Sequence, residues 1–590
     1  MEAPKPAAPA PRSDLRGGRP ARRTDRNSLL NKHLTRAPAA ILAAALLLTG
    51  CSGGTDDSGG GGDDPVTGGT VHMLQNADFS YLDPARGWDG GVNAFYRLIY
   101  RGLTMQAAGD SEDPNAMVPD MAESLGTPSE DGLTWTYTLK DGLAFDNGDP
   151  ITSTELAFGI SRTWDPEIGI GSPYLRNVID APEDYQGPYI SGESNPSIET
   201  PDEKTIVFNL IEPFPEFDNV VAQVNAAPFP VGSGAGDEFI NDVIASGPYT
   251  VDAYTPGSAI TLVRNEHWDA DTDDVRKAYP DAWEFEIGLE PATIDERLMA
   301  GQGTDASAIG GKVQPATLAR LQDPALADRV ISAEAYCTTY MGMNMTKAPF
   351  DRLEVRQAIN LAIDRDSLVT ASGGNQLAEP ATTIIPPAVN GHKDFDLYPS
   401  ENHAGDPEAA AALLAEAGLE DGFSFTLDIR SQAVMQAQAE SIQQALEPLG
   451  IEVKLNVIDT STYYETIGTP SQQSDAAITG WCPDWASSAS TMVPPLVDGR
   501  VITDKGNTNL AQINDETLNA RIDEIKAMTD IDAANAEWGE FDEEAMALAP
   551  MAPLLWEPSV FIPGENIANY IPNTSMTDLT IIGLKDPSQS

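Results

Sequence analysis

Basic residues are scarce in this chain. Its 590 residues include 35 Lys and Arg against 90 Asp and Glu, which gives a formal net charge of −55 and a pI near 4.1. Such a surface repels phosphate backbones, so the composition excludes nucleic-acid binding. It also repels anionic lipid headgroups, and any attachment to a membrane must therefore be covalent or hydrophobic.

Cysteine, histidine and the common catalytic motifs are equally sparse. Three Cys and five His are too few and too scattered for a structural zinc cluster. The sequence contains no G-x-S-x-G or H-E-x-x-H motif. The segment Asp269–Asp273 begins like a calcium loop, but Asp274 stands where the loop needs Gly and Pro280 where it needs Glu. We therefore expect no metal and no cofactor, and an exported hydrolase is the one enzyme class left open.

Apolar runs long enough to span a bilayer are absent as well. The run Ala39–Leu48 has ten residues, and a helix of that length spans about 15 Å, half of a bilayer core. It follows a basic segment, since residues 1–50 contain nine Lys and Arg but three Asp and Glu. A basic segment before a short apolar run is typical of a signal peptide, which we assign to residues 1–50.

The apolar run leads into a candidate lipidation site. Leu48-Thr49-Gly50-Cys51 resembles the bacterial lipobox, in which the cysteine is lipidated and becomes the new N-terminus. The following segment, Ser52–Gly69, contains eight Gly and four Asp and is expected to be a flexible coil. We therefore expect residues 51–69 to tether a folded body, through Cys51, to the extracytoplasmic face of a bacterial cell membrane.

The rest of the chain has the pattern of a mixed α/β protein. A domain typically has about 150 residues, so a chain of 590 residues is expected to form two to four lobes. Strand-like alternation occurs in several stretches, namely Leu133–Leu139, Thr205–Leu210, Ala259–Val263 and Ile451–Val457. Helices followed by strands predict a lobe in which helices pack on a sheet.

Three helices have recognisable ends. Asp351 with Glu354 three residues later predicts a capping box. Asp406 followed by Pro407 opens an Ala-rich helix that Gly418 ends. A third helix runs from about residue 433 and stops at Pro448, just before the 451–457 strand.

The two cysteines that remain after Cys51 mark a second notable segment. Cys337 and Cys482 are an even pair in an exported protein, for which a disulfide is expected. In the segment Thr479–Trp485, two tryptophans flank Asp484, which such a bridge would immobilise. From the residues alone, this segment is either a ligand-binding carboxylate site or a core aromatic cluster with a surface Asp.

A series of sequence blocks resembles one known family. In chain order the blocks are Phe95–Leu103, Met117–Ser124, Gly132–Thr136, Lys140–Gly142, Ser246–Tyr249, Phe350–Asp364 and Ile385–Pro387. From about residue 70 to the C-terminus, the chain resembles the solute-binding lipoproteins of peptide and nickel ABC importers. This is the oligopeptide- and dipeptide-binding family, family 5 of the bacterial extracellular solute-binding proteins.

The resemblance implies a two-lobed α/β fold of the type II periplasmic-binding-protein kind, with an extra domain inserted in the first lobe. It implies that lobe I comprises residues 70–105, 245–335 and 556–590, that the inserted subdomain comprises residues 106–244, and that lobe II comprises residues 336–555. The two hinge crossings would lie near residues 335–336 and 555–556.

The resemblance also implies the binding residues. Asp484 would hold the α-ammonium of a peptide, and Cys482 would pair with Cys337, just past the first crossing. Further expected ligand contacts are Gly480, Trp481, Cys482, Trp485, Tyr340, Gly87, Trp88 and Asp89. Some relatives place Arg residues upstream of the Asp segment, but Gln472–Ile478 contains none. How a peptide's carboxylate is held therefore stays open.

The function that follows is peptide import. A monomer would capture di- or oligopeptides between its lobes and deliver them to the permease and ATPase subunits of an ABC importer. An extended peptide bound as an added strand would be held largely regardless of its side chains. The alternative is the same fold binding a nickel chelate, an oligosaccharide or a siderophore. The scarcity of His disfavours a metal complex, and a sugar has no ammonium for Asp484 to bind.

Overall fold

The structure is a computed structural model that describes residues 64–79, 81–87, 90–168, 171–234, 239, 243–460, 462–485, 489–572 and 578–586. The expected signal peptide, Cys51, most of the linker, Trp88 and Asp89 lie outside these residues. Across the described ranges, no helix is both long and apolar enough to cross a membrane.

The described strands are short and spread over the whole body. In chain order they are β1 (Thr70–Leu74), β2 (Thr104–Gln106), β3 (Met117–Pro119), β4 (Thr127–Pro128), β5 (Thr134–Thr138), β6 (Ile198–Glu199), β7 (Thr205–Asn209), β8 (Tyr249–Thr255), β9 (Ala259–Arg264), β10 (Ala282–Glu286), β11 (Ala308–Gly310), β12 (Ile331–Ala333), β13 (Thr338–Met343), β14 (Glu379–Pro380), β15 (Ser424–Arg430), β16 (Glu452–Ile458), β17 (Ala476–Trp481), β18 (Met551–Trp556), β19 (Ser559–Phe561), β20 (Ile567–Ala568) and β21 (Gly583–Leu584).

The longer helices lie in the second half of the chain. The described helices are α1 (Gly90–Ile99), α2 (Ser153–Ser161), α3 (Tyr174–Val178), α4 (Pro188–Ser191), α5 (Phe217–Val221), α6 (Pro291–Ala300), α7 (Leu353–Ala362), α8 (Arg365–Ala371), α9 (Pro407–Glu416), α10 (Ala433–Leu446), α11 (Tyr463–Ile467), α12 (Pro494–Val497), α13 (Glu516–Lys526) and α14 (Ile531–Ala547).

A five-stranded sheet forms the first core, in the order β11-β1-β10-β9-β8. Strand β1 is parallel to β10 and β11, whereas β9 is antiparallel to both of its neighbours. The register places Val71, Trp283 and Leu262 side by side, and all three are fully buried. Burial of such side chains stabilises the fold by about 1.5–3 kcal/mol each.

A six-stranded sheet forms the second core, in the order β14-β18-β13-β17-β15-β16. Its central strand β13 is buried on both faces, and Met341 of β13 lies opposite Ile478 of β17. Helices α7, α8, α9 and α10 supply apolar side chains to the same core. Because these helices and strands alternate along the chain, the segment builds a layered α/β lobe.

A four-stranded antiparallel sheet, in the order β4-β5-β7-β6, carries a third core. Trp135 lies opposite Phe208, and Tyr137 lies opposite Ile206. All four side chains are buried, as the alternation in both stretches predicts. Strand β12 pairs with β19, and the chain enters the six-stranded sheet between residues 333 and 338 and leaves it between residues 556 and 559.

Most predicted element ends are confirmed. The Asp406 side chain accepts a hydrogen bond from the Ala409 backbone N–H at the start of α9, and Gly418 has a φ of +67° just after that helix. The three strands predicted between residues 133 and 264 are confirmed as β5, β7 and β9, and the 451–457 strand is confirmed as β16.

Two details of the prediction are wrong. The Asp351 capping box does not form, because the Arg352 N–H donates to the Pro349 carbonyl in a preceding turn. Helix α7 therefore begins at Leu353 with Arg352 at its N-cap and no side-chain cap. Val457 is 53% exposed rather than buried, since β16 is the edge strand of its sheet.

Candidate ligand-binding cleft

The pairing of β13 with β17 positions the cysteines. These strands are antiparallel, with Thr338 opposite Trp481 and Thr339 opposite Gly480. The register therefore places the residue before β13 opposite the residue after β17. These residues are Cys337 and Cys482, which form a disulfide with a Cα–Cα distance of 4.3 Å. The expected disulfide is thus present, and it fixes the chain at the end of β17.

Thr491 holds the segment that follows the disulfide. The Trp481 indole Nε1–H donates to the Thr491 carbonyl at 2.7 Å, and the Asp484 backbone N–H donates to the Thr491 hydroxyl oxygen at 3.1 Å. With one end held by the disulfide and the middle held by Thr491, the position of the Asp484 side chain is determined by the backbone.

Residues from the chain around α3 and α5 face this segment. The Tyr174 hydroxyl donates a hydrogen bond to the Asp484 carboxylate. The Tyr174 ring meets the Trp485 ring edge-on, with 4.8 Å between centroids, and Phe214 meets the same indole at 6.4 Å. The Ser490 hydroxyl donates to Glu216, and the Trp485 indole N–H lies 3.5 Å from the same carboxylate. Two parts of the chain about 300 residues apart thus close on each other across a cleft.

Asp484 carries an unbalanced charge in this cleft. Burial raises the pKa of its carboxyl group, and the hydrogen bond from Tyr174 lowers it in part. Burial also raises the pKa of Tyr174, so its hydroxyl stays protonated and donates. Among the described residues, no Lys, Arg or His lies within 4.0 Å of the Asp484 carboxylate. A buried carboxylate without a cation is costly, which makes it a strong binding group for a cationic ligand.

Two cavities share Trp485 in their linings. The first has a volume of about 120 Å³, and Asp484, Trp485, Gly87 and one face of α1 contribute to its lining. A Cβ atom at Gly87 would lie 2.2 Å from the Tyr96 hydroxyl oxygen, so this close approach requires glycine.

The second cavity is larger and mainly apolar. Its volume is about 360 Å³, and Trp485, Phe214, Trp538 and several prolines line it. A carboxylate beside an aromatic cavity suits a ligand that joins an ammonium to a large side chain.

The structure brings some predicted ligand contacts together and separates others. Asp484, Trp485 and Gly87 line the first cavity. Gly480 and Trp481 are half-buried at the end of β17, and Cys482 is exposed beside them. Tyr340 is 2% exposed, packs in the core beneath the cleft and lines neither cavity.

Several cleft residues were missed by the sequence analysis. Tyr174, Phe214 and Glu216 contact the Asp484 segment, and Arg97 lines the first cavity. No local pattern marks them, because each acquires its role from a partner hundreds of residues away. Among the described residues, no group of three His, Cys, Asp or Glu is arranged to hold a metal ion.

Comparison with known proteins identifies the family. Residues 116–501 match the family described as bacterial extracellular solute-binding proteins, family 5. The chain belongs to this family. The family comprises the extracytoplasmic solute-binding components of ABC importers, and this chain is one of them.

Individual proteins and solved structures are similar to this chain as well. Glutathione-binding protein GsiB of Salmonella paratyphi A is 25% identical over 443 residues, which cover 72% of this chain and 78% of GsiB. A solved structure, clavulanic acid biosynthesis oligopeptide binding protein 2, is 34% identical, with a TM-score of 0.84 over 89% of this chain and 97% of that one. DppA of Helicobacter pylori, in complex with the peptide STSA, is 21% identical with a TM-score of 0.68 over 88% and 99% of the two chains. The two-lobed type II fold is thereby confirmed.

Proposed function

We propose that this protein captures short peptides between its two lobes and, as a monomer, delivers them to the permease and ATPase subunits of an ABC importer. The observation that carries the proposal is Asp484, a half-buried carboxylate in the cleft that has no cation within 4.0 Å among the described residues. The α-ammonium of a peptide would supply the missing charge, through charge-assisted hydrogen bonds of about 1.5–3 kcal/mol.

The end of β17 supports binding of an extended backbone. Strand β15 pairs with β17 only through Ala476 and Ala477. In the described chain, residues 479–481 therefore have a strand neighbour on one side alone, which is β13. A peptide could add to the free side and donate or accept main-chain hydrogen bonds there. Gly480 and Trp481 are the proposed main-chain contacts on this side of the cleft, and Gly87, with Trp88 and Asp89, on the other.

Native mass spectrometry of protein purified from cells grown in rich medium tests this function. The expected result is a protein that carries one or more peptides, which are absent when Asp484 is changed to Ala. A co-purifying nickel chelate, oligosaccharide or siderophore would contradict the peptide assignment and support the alternative. Incubation with a dye-labelled peptide tests for a hydrolase. Lack of turnover is expected for a binding protein of either kind, and cleavage of the peptide would indicate a hydrolase.

The lipid anchor is a separate proposal, supported by Leu48–Cys51 and the Gly-rich segment that follows. Cys51→Ala is expected to leave the folded body intact and to shift the protein from the membrane fraction to the medium. Retention of Cys51→Ala at the membrane, with wild type largely unprocessed, would contradict the anchor.

We also propose the domain boundaries implied by the sequence. The separate four-stranded sheet supports an inserted subdomain at residues 106–244, and the six-stranded sheet supports a second lobe at residues 336–555. Limited proteolysis is expected to cut first near these boundaries and near residues 335–336. Early cuts within the six-stranded sheet would contradict them.

A further inference from the structure

The first cavity is lined by charged groups of both signs. Its lining residues include Asp484 and three arginines, namely Arg97, Arg101 and Arg276. The cavity is small, at about 120 Å³. A ligand in this cavity would therefore meet residues of both charges.

Two of the three arginines are neutralised by carboxylates of the protein itself. Arg101 Nε lies 2.8 Å from Asp120 Oδ1, and Arg276 Nη1 lies 2.9 Å from Asp120 Oδ2. Arg276 Nη1 also lies 3.1 Å from Asp273 Oδ2. With two cations and two carboxylates, this group is balanced without a ligand.

Arg97 differs from these two. It lies on the face of α1 that also presents Asn93 and Tyr100 to the cavity, at the spacing that puts side chains on one side of a helix. Its Nη2 donates to the Gln106 carbonyl at 3.1 Å. Among the described residues, no carboxylate lies within 4.0 Å of its guanidinium group.

The surroundings of Arg97 do not replace a direct partner. Burial lowers the pKa of its guanidinium group, and Arg276 lowers it further. The carboxylates of Asp578, Asp120 and Asp273 raise this pKa, although each lies more than 4.0 Å from the guanidinium group. Asp578 itself accepts hydrogen bonds from the N–H groups of Gly109 and Thr580. Arg97 is therefore a partly desolvated cation, without a carboxylate within 4.0 Å among the described residues, and it lines the same cavity as Asp484.

We propose that Arg97 binds a carboxylate of the ligand, either its C-terminal group or an Asp or Glu side chain. The inference rests on the proposed peptide function and adds to it the group that recognises the acidic end. Because Asp484 and Arg97 line one cavity, a single ligand can place its ammonium at the first and its carboxylate at the second. A planar guanidinium group can donate two parallel hydrogen bonds to a carboxylate, which a single ammonium cannot.

A mixed peptide library tests the inference. The probe is an equimolar library of di- to pentapeptides with four matched arms: free C-terminus, amidated C-terminus, and each of these with Glu replaced by Gln. Captured peptides are identified by mass spectrometry after capture by wild type and by Arg97→Gln. Arg320→Gln is the matched control, since it removes one positive charge at an exposed Arg320–Glu296 pair.

Wild type and the Arg320→Gln control are expected to prefer one carboxylate arm over its neutral counterpart by roughly ten- to hundredfold. Preference for free over amidated C-termini identifies the C-terminal group, and preference for Glu over Gln identifies the side chain. Arg97→Gln is expected to capture both members of that pair equally. Arg97→Lys is expected to keep the preference in reduced form, since it keeps the charge but loses the paired donors.

Two results would overturn the inference while leaving the peptide function intact. One is capture of neutral and acidic arms equally by wild type, and the other is an unchanged preference in a folded Arg97→Gln. If Arg97→Gln does not fold, the test depends on wild type and on Arg97→Lys. An undiminished preference for the carboxylate arm in Arg97→Lys would then contradict the two parallel hydrogen bonds from Arg97. Capture of no peptide at all by wild type would overturn the proposed function itself.

Discussion

Two sets of buried charges in this protein are satisfied in different ways. The Arg101–Asp120–Arg276–Asp273 cluster is balanced internally, with ion-pair distances of 2.8, 2.9 and 3.1 Å. Burial raises the pKa of Asp273, but Arg276 and Arg101 outweigh burial and lower it to about 2. Among the described residues, the side chain that donates to Asp484 is the neutral hydroxyl of Tyr174. Burial raises the pKa of the Asp484 carboxyl group. The difference separates charges that hold the fold together from a charge that we propose is kept for a ligand.

The first prediction breaks the balanced set. Asp120→Ala leaves two buried guanidinium groups with the single carboxylate of Asp273 between them, and we expect the free energy of unfolding to fall by about 3–5 kcal/mol. Urea denaturation measures it. Asp484→Ala is the control and is expected to lose far less, because its carboxylate has no cation to abandon. Equal losses in the two variants would remove the distinction between the two sets.

The second prediction concerns a third kind of buried carboxylate. Asp542 has no cation beside it among the described residues, but the Ile384 and Ile385 backbone N–H groups each donate to it at 2.9 Å. Burial raises its pKa and these donors lower it in part, which leaves the pKa at about 7. The folded state therefore holds a proton that the unfolded state releases above about pH 4.

The free energy of unfolding is then expected to fall as the pH rises from about 4 to about 7, with a contribution from Asp542 on the order of 2–4 kcal/mol. Asp542→Asn keeps an oxygen that accepts both N–H groups but does not titrate. The variant is expected to show a smaller loss over this pH range when unfolding is followed at several pH values. Parallel pH profiles for wild type and variant would show that Asp542 does not hold the proton.

The third prediction tests what holds the Asp484 segment. Changing Cys337 and Cys482 together to Ser is expected to lower the free energy of unfolding by about 2–4 kcal/mol, since the disulfide closes a long loop in the unfolded chain. Peptide binding is expected to weaken as well, because the segment beyond β17 loses one of its attachments. Reductant should affect wild type and leave the double variant unchanged. An equal effect of reductant on both proteins would show that reductant does not act through the Cys337–Cys482 disulfide.

The fourth prediction separates the hydroxyl of Tyr174 from its ring. This hydroxyl donates to the Asp484 carboxylate, so an incoming ammonium would compete with it for the carboxylate oxygens. Tyr174→Phe keeps the ring contact with Trp485 and is expected to bind peptide roughly three- to tenfold more tightly, the equivalent of about 1 kcal/mol for one hydrogen bond. Isothermal titration measures the change. Weaker binding by Tyr174→Phe would show that the hydroxyl contacts the ligand instead.

The sequence predicted much of the fold because the fold depends on local periodicity. Alternation in the segments of β5 and β7 placed Trp135 and Phe208 in a core, and the Asp406 cap placed the start of α9. The prediction failed where a neighbour outside the segment decides the outcome. Asp351 lost its capping role to a turn at Pro349, and Val457 is exposed because no strand covers the edge of β16.

The site was predictable only on one side of the cleft. The resemblance and the cysteine parity pointed to Asp484 and to the Cys337–Cys482 disulfide, which β13 and β17 then align. Tyr174 and Arg97 follow from the packing of distant segments, and no spacing in the sequence relates them to Asp484. Tyr340 was expected at the cleft but packs in the core and lines neither cavity, so its ligand contact stays a prediction.

The most direct test of the central claim is a double-mutant cycle between Asp484 and the amino terminus of a peptide ligand identified by native mass spectrometry. Isothermal titration compares the free and N-acetylated peptide on wild type and on Asp484→Ala. Loss of one partner of a buried charge pair costs about 2–5 kcal/mol, roughly thirty- to several-thousand-fold in affinity. Acetylation is expected to cost wild type this much and Asp484→Ala little, because both changes remove one interaction. Additive losses, or equal binding of both peptides by wild type, would contradict the claim that Asp484 holds the ligand's ammonium.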